Sequence, residues 1–203
     1  MSITDYSSLK SNVATWLNRE DLTASIPTFI QFAEAQIARK LRHYQQEKRA
    51  TVALDSRYTA LPADFVQPVR LHVTGKGPLT LTGQEDLQKR RDQADDTGGT
   101  PLFYAIVGGE IEVFPSPDTA YTLEMSYFGT IDSLSDVTTT NWLLTLAPDV
   151  YLYGALMQTA PFLMDDNRIA VWGALFQSGI DDLNLASKRA KHGGGGLKMR
   201  VNK

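Results

Sequence analysis

Glu110 and Glu112 stand two residues apart in an otherwise apolar run, a spacing that puts both carboxylates on one face of a β-strand. General acid and base work on a glycosidic bond needs such a pair, so a carbohydrate-active accessory protein is one reading of the chain. A solvent-facing strand edge explains the pair better, because charged edges keep sheets from aggregating. Asp165-Asp166 and Asp181-Asp182 are adjacent, and helical neighbours point about 100° apart, so neither pair faces a common substrate. They read as a helix cap and a solvated face. His192-Gly193-Gly194-Gly195 resembles an esterase oxyanion loop, but no G-x-S-x-G nucleophile elbow accompanies it. Gly193 to Lys198 lacks the Ser or Thr and the preceding strand of a phosphate-binding loop. His43, His72 and His192 are scattered singly, without metal-ligand spacing, and with no cysteine there can be no disulfide, thiol catalysis or cysteine-held metal. No enzyme activity, no metal and no cofactor is expected.

Charge is more informative than chemistry. The 203 residues carry 20 Lys+Arg and 23 Asp+Glu, net −3. Residues 1–187 hold 14 of the basic groups and all 23 acidic ones, net −9. Lys188, Arg189, Lys191, Lys198, Arg200 and Lys203 follow, around the glycines Gly193 to Gly196. An acidic body is thus expected to end in a flexible basic arm, residues 191–203. In Leu197-Lys198-Met199-Arg200-Val201 apolar and basic residues alternate with the period of a strand, which suits addition to the sheet edge of another chain. Lys188, Arg189, Lys191, Leu197, Lys198, Met199, Arg200 and Val201 are therefore the candidate partner-binding residues. A DNA-binding module is the competing use of positive charge, drawing on Arg39, Lys40 and Arg42 with the arm. A body at −9 argues against it.

With 42% hydrophobic and 21% charged residues the chain can bury a core unaided. The longest uncharged apolar stretch, Val150 to Met164, is too short to cross a bilayer, and the opening residues lack the pattern of a secretory signal. Tyr6, Leu9, Val13, Trp16 and Leu17 recur at helical spacing and predict a helix from Asp5 to Asn18, with Thr4 or Asp5 as cap. Ser25 caps a second helix, expected to run to Gln46, with Pro27 in its first turn and Arg39, Lys40, Arg42 and His43 near its end, where cations oppose the helix dipole. From Arg49 the period changes to two, with Val69, Leu71 and Val73 alternating with Arg70, His72 and Thr74. Thr82 and Glu85 form a capping box for a short helix ending near Gln93, and Gly108-Gly109 joins Phe103–Val107 to Glu110–Phe114 as a hairpin. Tyr121, Leu123, Met125 and Tyr127 mark another strand.

After a polar linker, Asn141-Trp142-Leu143-Leu144 turns helical again. Pro148 and Asp149 then open a helix so apolar all round that it belongs at the centre of a core. A last helix, expected from Asp166 to Ala190, carries the stripe Ile169, Trp172, Phe176, Ile180 and Leu183. The fold class is α+β: a helical bundle of residues 1–48 and 131–190, interrupted by an antiparallel β region, residues 49–130, with one short helix. Trp16 and Trp172 should both be largely buried.

Several segments resemble, in collinear order, the head-to-tail adaptor proteins of tailed bacteriophages. They are Trp16-Leu17-Asn18-Arg19-Glu20-Asp21-Leu22, Ile26-Pro27-Thr28-Phe29-Ile30 and Arg39-Lys40-Leu41-Arg42 at the start, and Leu61-Pro62-Ala63-Asp64-Phe65 leading into the β region. Asn141-Trp142-Leu143-Leu144, the run from Pro148 to Leu156, and Ala160-Pro161-Phe162-Leu163 complete the set. The resemblance implies a structural virion protein made in the host cytoplasm. It implies a homo-oligomeric ring, a dodecamer, between portal and tail proteins at the head–tail junction, lining the DNA channel. Neither sequence-specific nucleic acid nor a membrane is implied as a partner.

Overall fold

The computed structural model describes residues 2–94, 96–163 and 167–192. In chain order its elements are α1 (Tyr6–Leu17), α2 (Ile26–Lys40), β1 (Glu47–Leu54), β2 (Tyr58–Ala60), β3 (Phe65–Val73), β4 (Gly77–Pro78), β5 (Thr80–Leu81), α3 (Gln84–Gln93), β6 (Phe103–Val107), β7 (Glu110–Phe114), β8 (Tyr121–Gly129), α4 (Trp142–Leu146), α5 (Pro148–Met157) and α6 (Arg168–His192). The class is α+β, and the chain forms two compact units, one from Met1–Gln45 with the chain from Ile131 onward, the other Gln46–Thr130.

The helical unit is organised around α5. Val150, Tyr151, Leu152, Ala155 and Leu156 are all buried, on every side of the helix. Gly154 permits the close approach: a Cβ there would lie 3.0 Å from the Phe176 ring of α6 and 3.1 Å from Ala33 of α2. Trp172, Phe176 and Ile180 of α6 are buried in the same core, with Ile169 and Leu183 packed at its margin. Helix α1 begins where Asp5 accepts a hydrogen bond from the Ser8 amide (2.7 Å) and the Ser8 hydroxyl accepts one from the Asp5 amide (2.9 Å). Asn18 ends it in the left-handed conformation, φ 53°. Trp16, expected in the core, is 44% exposed and packs edge-on against Tyr153. Leu17 occupies the inward position in register with Tyr6, Leu9 and Val13, and Trp16 is rotated about 100° from it.

Further expectations need correction in this unit. Helix α2 stops at Lys40 rather than Gln46, and Leu41 is extended though fully buried. The cause lies some 140 residues away: the Arg42 amide donates to Asn184 Oδ1 (2.8 Å), the Tyr44 amide to Ser187 Oγ (2.9 Å), and Asn184 Nδ2 to the Lys40 carbonyl (3.2 Å). Tertiary hydrogen bonds thus replace helical ones. Ser25 makes no side-chain cap and sits instead in a short 3₁₀ turn, Thr23–Ser25. The segment expected as a linker is anchored by Leu134, whose side chain is buried and whose amide donates to Glu34 Oε1 (2.7 Å). Helix α6 runs two residues beyond Ala190; of the caps expected at Asp165, Asp166 or Asn167, the first two lie outside the described residues.

The β unit stacks two four-stranded sheets, ordered β1-β8-β3-β4 and β2-β7-β6-β5. Leu54, Leu71, Leu123 and Met125 from the first meet Tyr104, Ile111 and Val113 from the second. On the far face of the second sheet, Leu87 of α3 packs on Ala105 and Phe114. The layers therefore run first sheet, second sheet, α3. Gly108 (φ 59°) and Gly109 (φ 88°) make the tight hairpin turn that only residues tolerant of positive φ supply. One pair departs from the antiparallel expectation: β5 and β6 are parallel, because α3 forms the crossover between them. The capping box at Thr82 and Glu85 is also absent; Gly83 is the cap residue, and the Thr82 hydroxyl lies 3.3 Å from Asp86.

Candidate functional site

Strand β7 places Glu110 and Glu112 on one face, but their environments differ entirely. Glu110 is exposed; Glu112 is 3% exposed, which corrects its expected place on a solvent-facing edge. Its Oε1 accepts from Arg57 Nη2 (2.6 Å) and Nε (3.0 Å) and from Arg91 Nη1 (2.8 Å). Arg91 also donates to Asp96 (3.1 Å) and to the Val113 carbonyl (3.1 Å), and Asp96 accepts from the Ser116 amide (2.8 Å) and hydroxyl (2.6 Å). Burial pushes the Asp96 carboxyl upward, and the Ser116 donors with Arg91 outweigh it, leaving the group below its ordinary value. This network fastens α3 and the loop before Gly99 to the sheet. It is a structural clasp, and it removes the carboxylate pair on which the carbohydrate reading stood. No signal in the sequence announces it, because the partners of Glu112 lie 55 and 21 residues away.

Two of the basic residues near the end of α2 are likewise engaged within the helical unit. Arg42 Nη1 donates to the carbonyls of Ala38 (2.9 Å) and Leu41 (2.6 Å), satisfying a helix end, and Lys40 donates to Gln177 (2.7 Å). Only Arg39 and Lys40 lie in the last turn; Arg42 and His43 fall beyond it. His43 is 2% exposed, stacked on Trp142 at 5.1 Å, and burial holds its pKa below the ordinary value. Since the folded value is depressed relative to about 6.5 in the unfolded chain, protonation favours unfolding. Stability of the helical unit should fall as pH drops below about 6.5. His43→Phe, which keeps the stacking and removes the titration, should flatten urea midpoints measured between pH 7 and 5; an unchanged slope would refute the assignment.

Of the candidate partner-binding residues, Lys188, Arg189 and Lys191 are exposed in the last turns of α6, where their charge complements the helix dipole. Lys191 is therefore helical. Leu197, Lys198, Met199, Arg200 and Val201 lie outside the described residues. The outer side of α6 also exposes Val171, Leu175 and Leu185.

Sequence reading missed a charged cleft on the outer face of the first sheet. Cross-strand pairing aligns Arg49, Ser126 and Arg70 in one row and Thr51, Glu124 and His72 in the next. The cleft they line has a volume of about 360 Å³. The signal was present in the alternation of Arg70, His72 and Thr74, but only the pairing with β1 and β8 shows which charges it meets. Glu124 accepts from the Thr74 hydroxyl (3.0 Å).

Among the described residues no cluster of potential ligands could hold a metal, and no helix is long and apolar enough to cross a membrane. No curated protein matches the chain. A family model does, that of the SU10 adaptor protein, over residues 4–199. A match that runs through both helical segments and the β region between them identifies the chain as a member of the SU10 adaptor family, structural head-to-tail adaptors of bacteriophage virions and not a class of enzymes.

Proposed function

We propose that the protein works as a homo-oligomeric ring, a dodecamer, seated between the portal and the tail with DNA passing through it. The observation that carries this reading is the family match along nearly the whole chain. The charge distribution supports it: a net −9 over residues 1–187 repels phosphate, so a duplex would slide past the ring without adhering. The ring contacts are heterologous, each copy meeting its neighbour through different patches, and copies are monomeric or weakly associated until a portal templates closure. Electron microscopy of the full chain mixed with the portal protein of its phage should reveal closed rings on the portal. A stable two-fold dimer that joins no portal would overturn the reading.

In this reading the portal contact is made by the C-terminal basic segment, led by Lys188, Arg189 and Lys191 at the end of α6. Leu197, Met199 and Val201 enter an apolar groove or sheet edge of the portal, and Lys198 and Arg200 pair with its acids. Fixing each residue costs roughly 1–2 kcal/mol of backbone entropy, so the charges alone would not hold the segment. Apolar contacts and repetition around the ring supply the rest. Deleting residues 193–203 should leave the thermal unfolding of the protein unchanged and abolish its co-sedimentation with portal. Unchanged portal affinity of the truncated chain would return the segment to the status of an ordinary chain end.

A further inference from the structure

The β unit carries charge on its two opposite outer layers, and part of it on each layer is left without an ion pair among the described residues. On the first sheet, Arg49 and Arg70 flank Ser126 in one row, with Glu124 at the centre of the next. On the other side, α3 exposes Glu85, Lys89 and Asp92. Among the described residues Arg49, Arg70, Glu85, Lys89 and Glu124 form no ion pair, whereas Arg57 and Arg91 of the same unit are fully committed to Glu112 and Asp96. Helix α3 is itself unusual, since Leu87 is the one buried residue in its ten. A helix so short and polar is marginal by itself; Leu87 and Arg91 hold it on the second sheet, and its outward face is left to solvent.

The two layers match in spacing as well as sign. Successive rows on a strand lie about 6.7 Å apart, and residues four apart on a helix rise about 6 Å. A helix laid along the strands with Lys89 over Glu124 brings Glu85 or Asp92 over the row of Arg49 and Arg70. We infer that α3 of one copy seats on the β1-β8-β3 face of the next, through Lys89 to Glu124 and acidic α3 residues to Arg49 and Arg70. Because the two patches are different and lie on opposite sides of one unit, the contact propagates from copy to copy and does not close a dimer. The inference rests on the ring reading and names its neighbour contact. DNA is a poorer occupant of the same face: residues 46–130 hold 8 basic and 12 acidic groups, and Glu124 stands in the cleft itself.

Charge reversal tests it on the full chain with portal. K89E alone, or E124K alone, sets like charges against each other at every junction, so each should lower the yield of rings on portal at least tenfold while melting like the unchanged protein. An equimolar mixture of the two variants, alternating around the ring, restores opposite charges at every junction. With one variant uniformly labelled with nitrogen-15 to separate the two masses, native mass spectrometry should then find rings containing both variants in equal number. Single variants that form rings as well as the unchanged protein, or a mixture that fails to recover them, would overturn the contact while leaving the ring reading standing. An unchanged protein that forms no ring on portal would overturn both. Salt-sensitive binding of a 30-base-pair duplex, lost in the R49E/R70E double variant, would assign the face to DNA instead.

Discussion

Leu156→Asp should leave the helical unit without a cooperative unfolding transition. Leu156 is fully buried on α5, among side chains contributed by α1, α2 and α6. Truncating such a leucine costs about 2–5 kcal/mol through lost burial and the cavity left behind. An unpaired carboxylate in the same place adds a desolvation cost of several kcal/mol. Domain stabilities of about 5–15 kcal/mol do not tolerate that sum. Trp16, Trp142 and Trp172 all lie in the helical unit, so tryptophan emission reports on it selectively. The expected emission is that of an unfolded chain before any denaturant is added, with Leu156→Ala retaining a native signal at a lowered urea midpoint. A native-like melt for the Asp variant would show that α5 is not the packed centre.

Glu112→Ala should destabilise the β unit by about 3–5 kcal/mol, the usual cost of removing one partner from a buried ion pair. The loss leaves Arg91, largely buried, without its central anion, while Arg57 is about one-third exposed and regains water more easily. That difference places the expected value near the lower end of the range. Because the tryptophans lie elsewhere, the measurement is hydrogen exchange at the amides of β6 and β7, which should lose protection while those of α5 keep it. Glu112→Gln retains an acceptor for one guanidinium and should fall between the two. Unchanged protection in the Ala variant would mean that the sheet and α3 hold together by apolar contacts alone.

Much of this fold is legible in the sequence because its signals are local. The cap offered by Thr4 or Asp5, which the structure assigns to Asp5, the Gly108-Gly109 turn and the apolar circumference of α5 each need only near neighbours to be recognised. The collinear adaptor-like segments depend on order along the chain and nothing else. Where the outcome depended on distant partners, local reading failed. Helix α2 has the propensity to continue past Lys40, but Asn184 and Ser187 offer its backbone better partners. Glu112 has the pattern of an edge residue, and two arginines from separate elements draw it inside.

By itself the sequence determined the class of the protein, the position of its core helices, its lack of thiol chemistry and its division of charge, since each follows from residue type and spacing. Only the tertiary structure decided which charges are spent and which are left over. Arg57 and Arg91 look no different from Arg49 and Arg70 in the sequence, yet the first two neutralise the buried Glu112 carboxylate and the others line an open face. The reason is physical: an ion pair or a cross-strand row is made by groups tens of residues apart, and no local periodicity encodes which of them will meet.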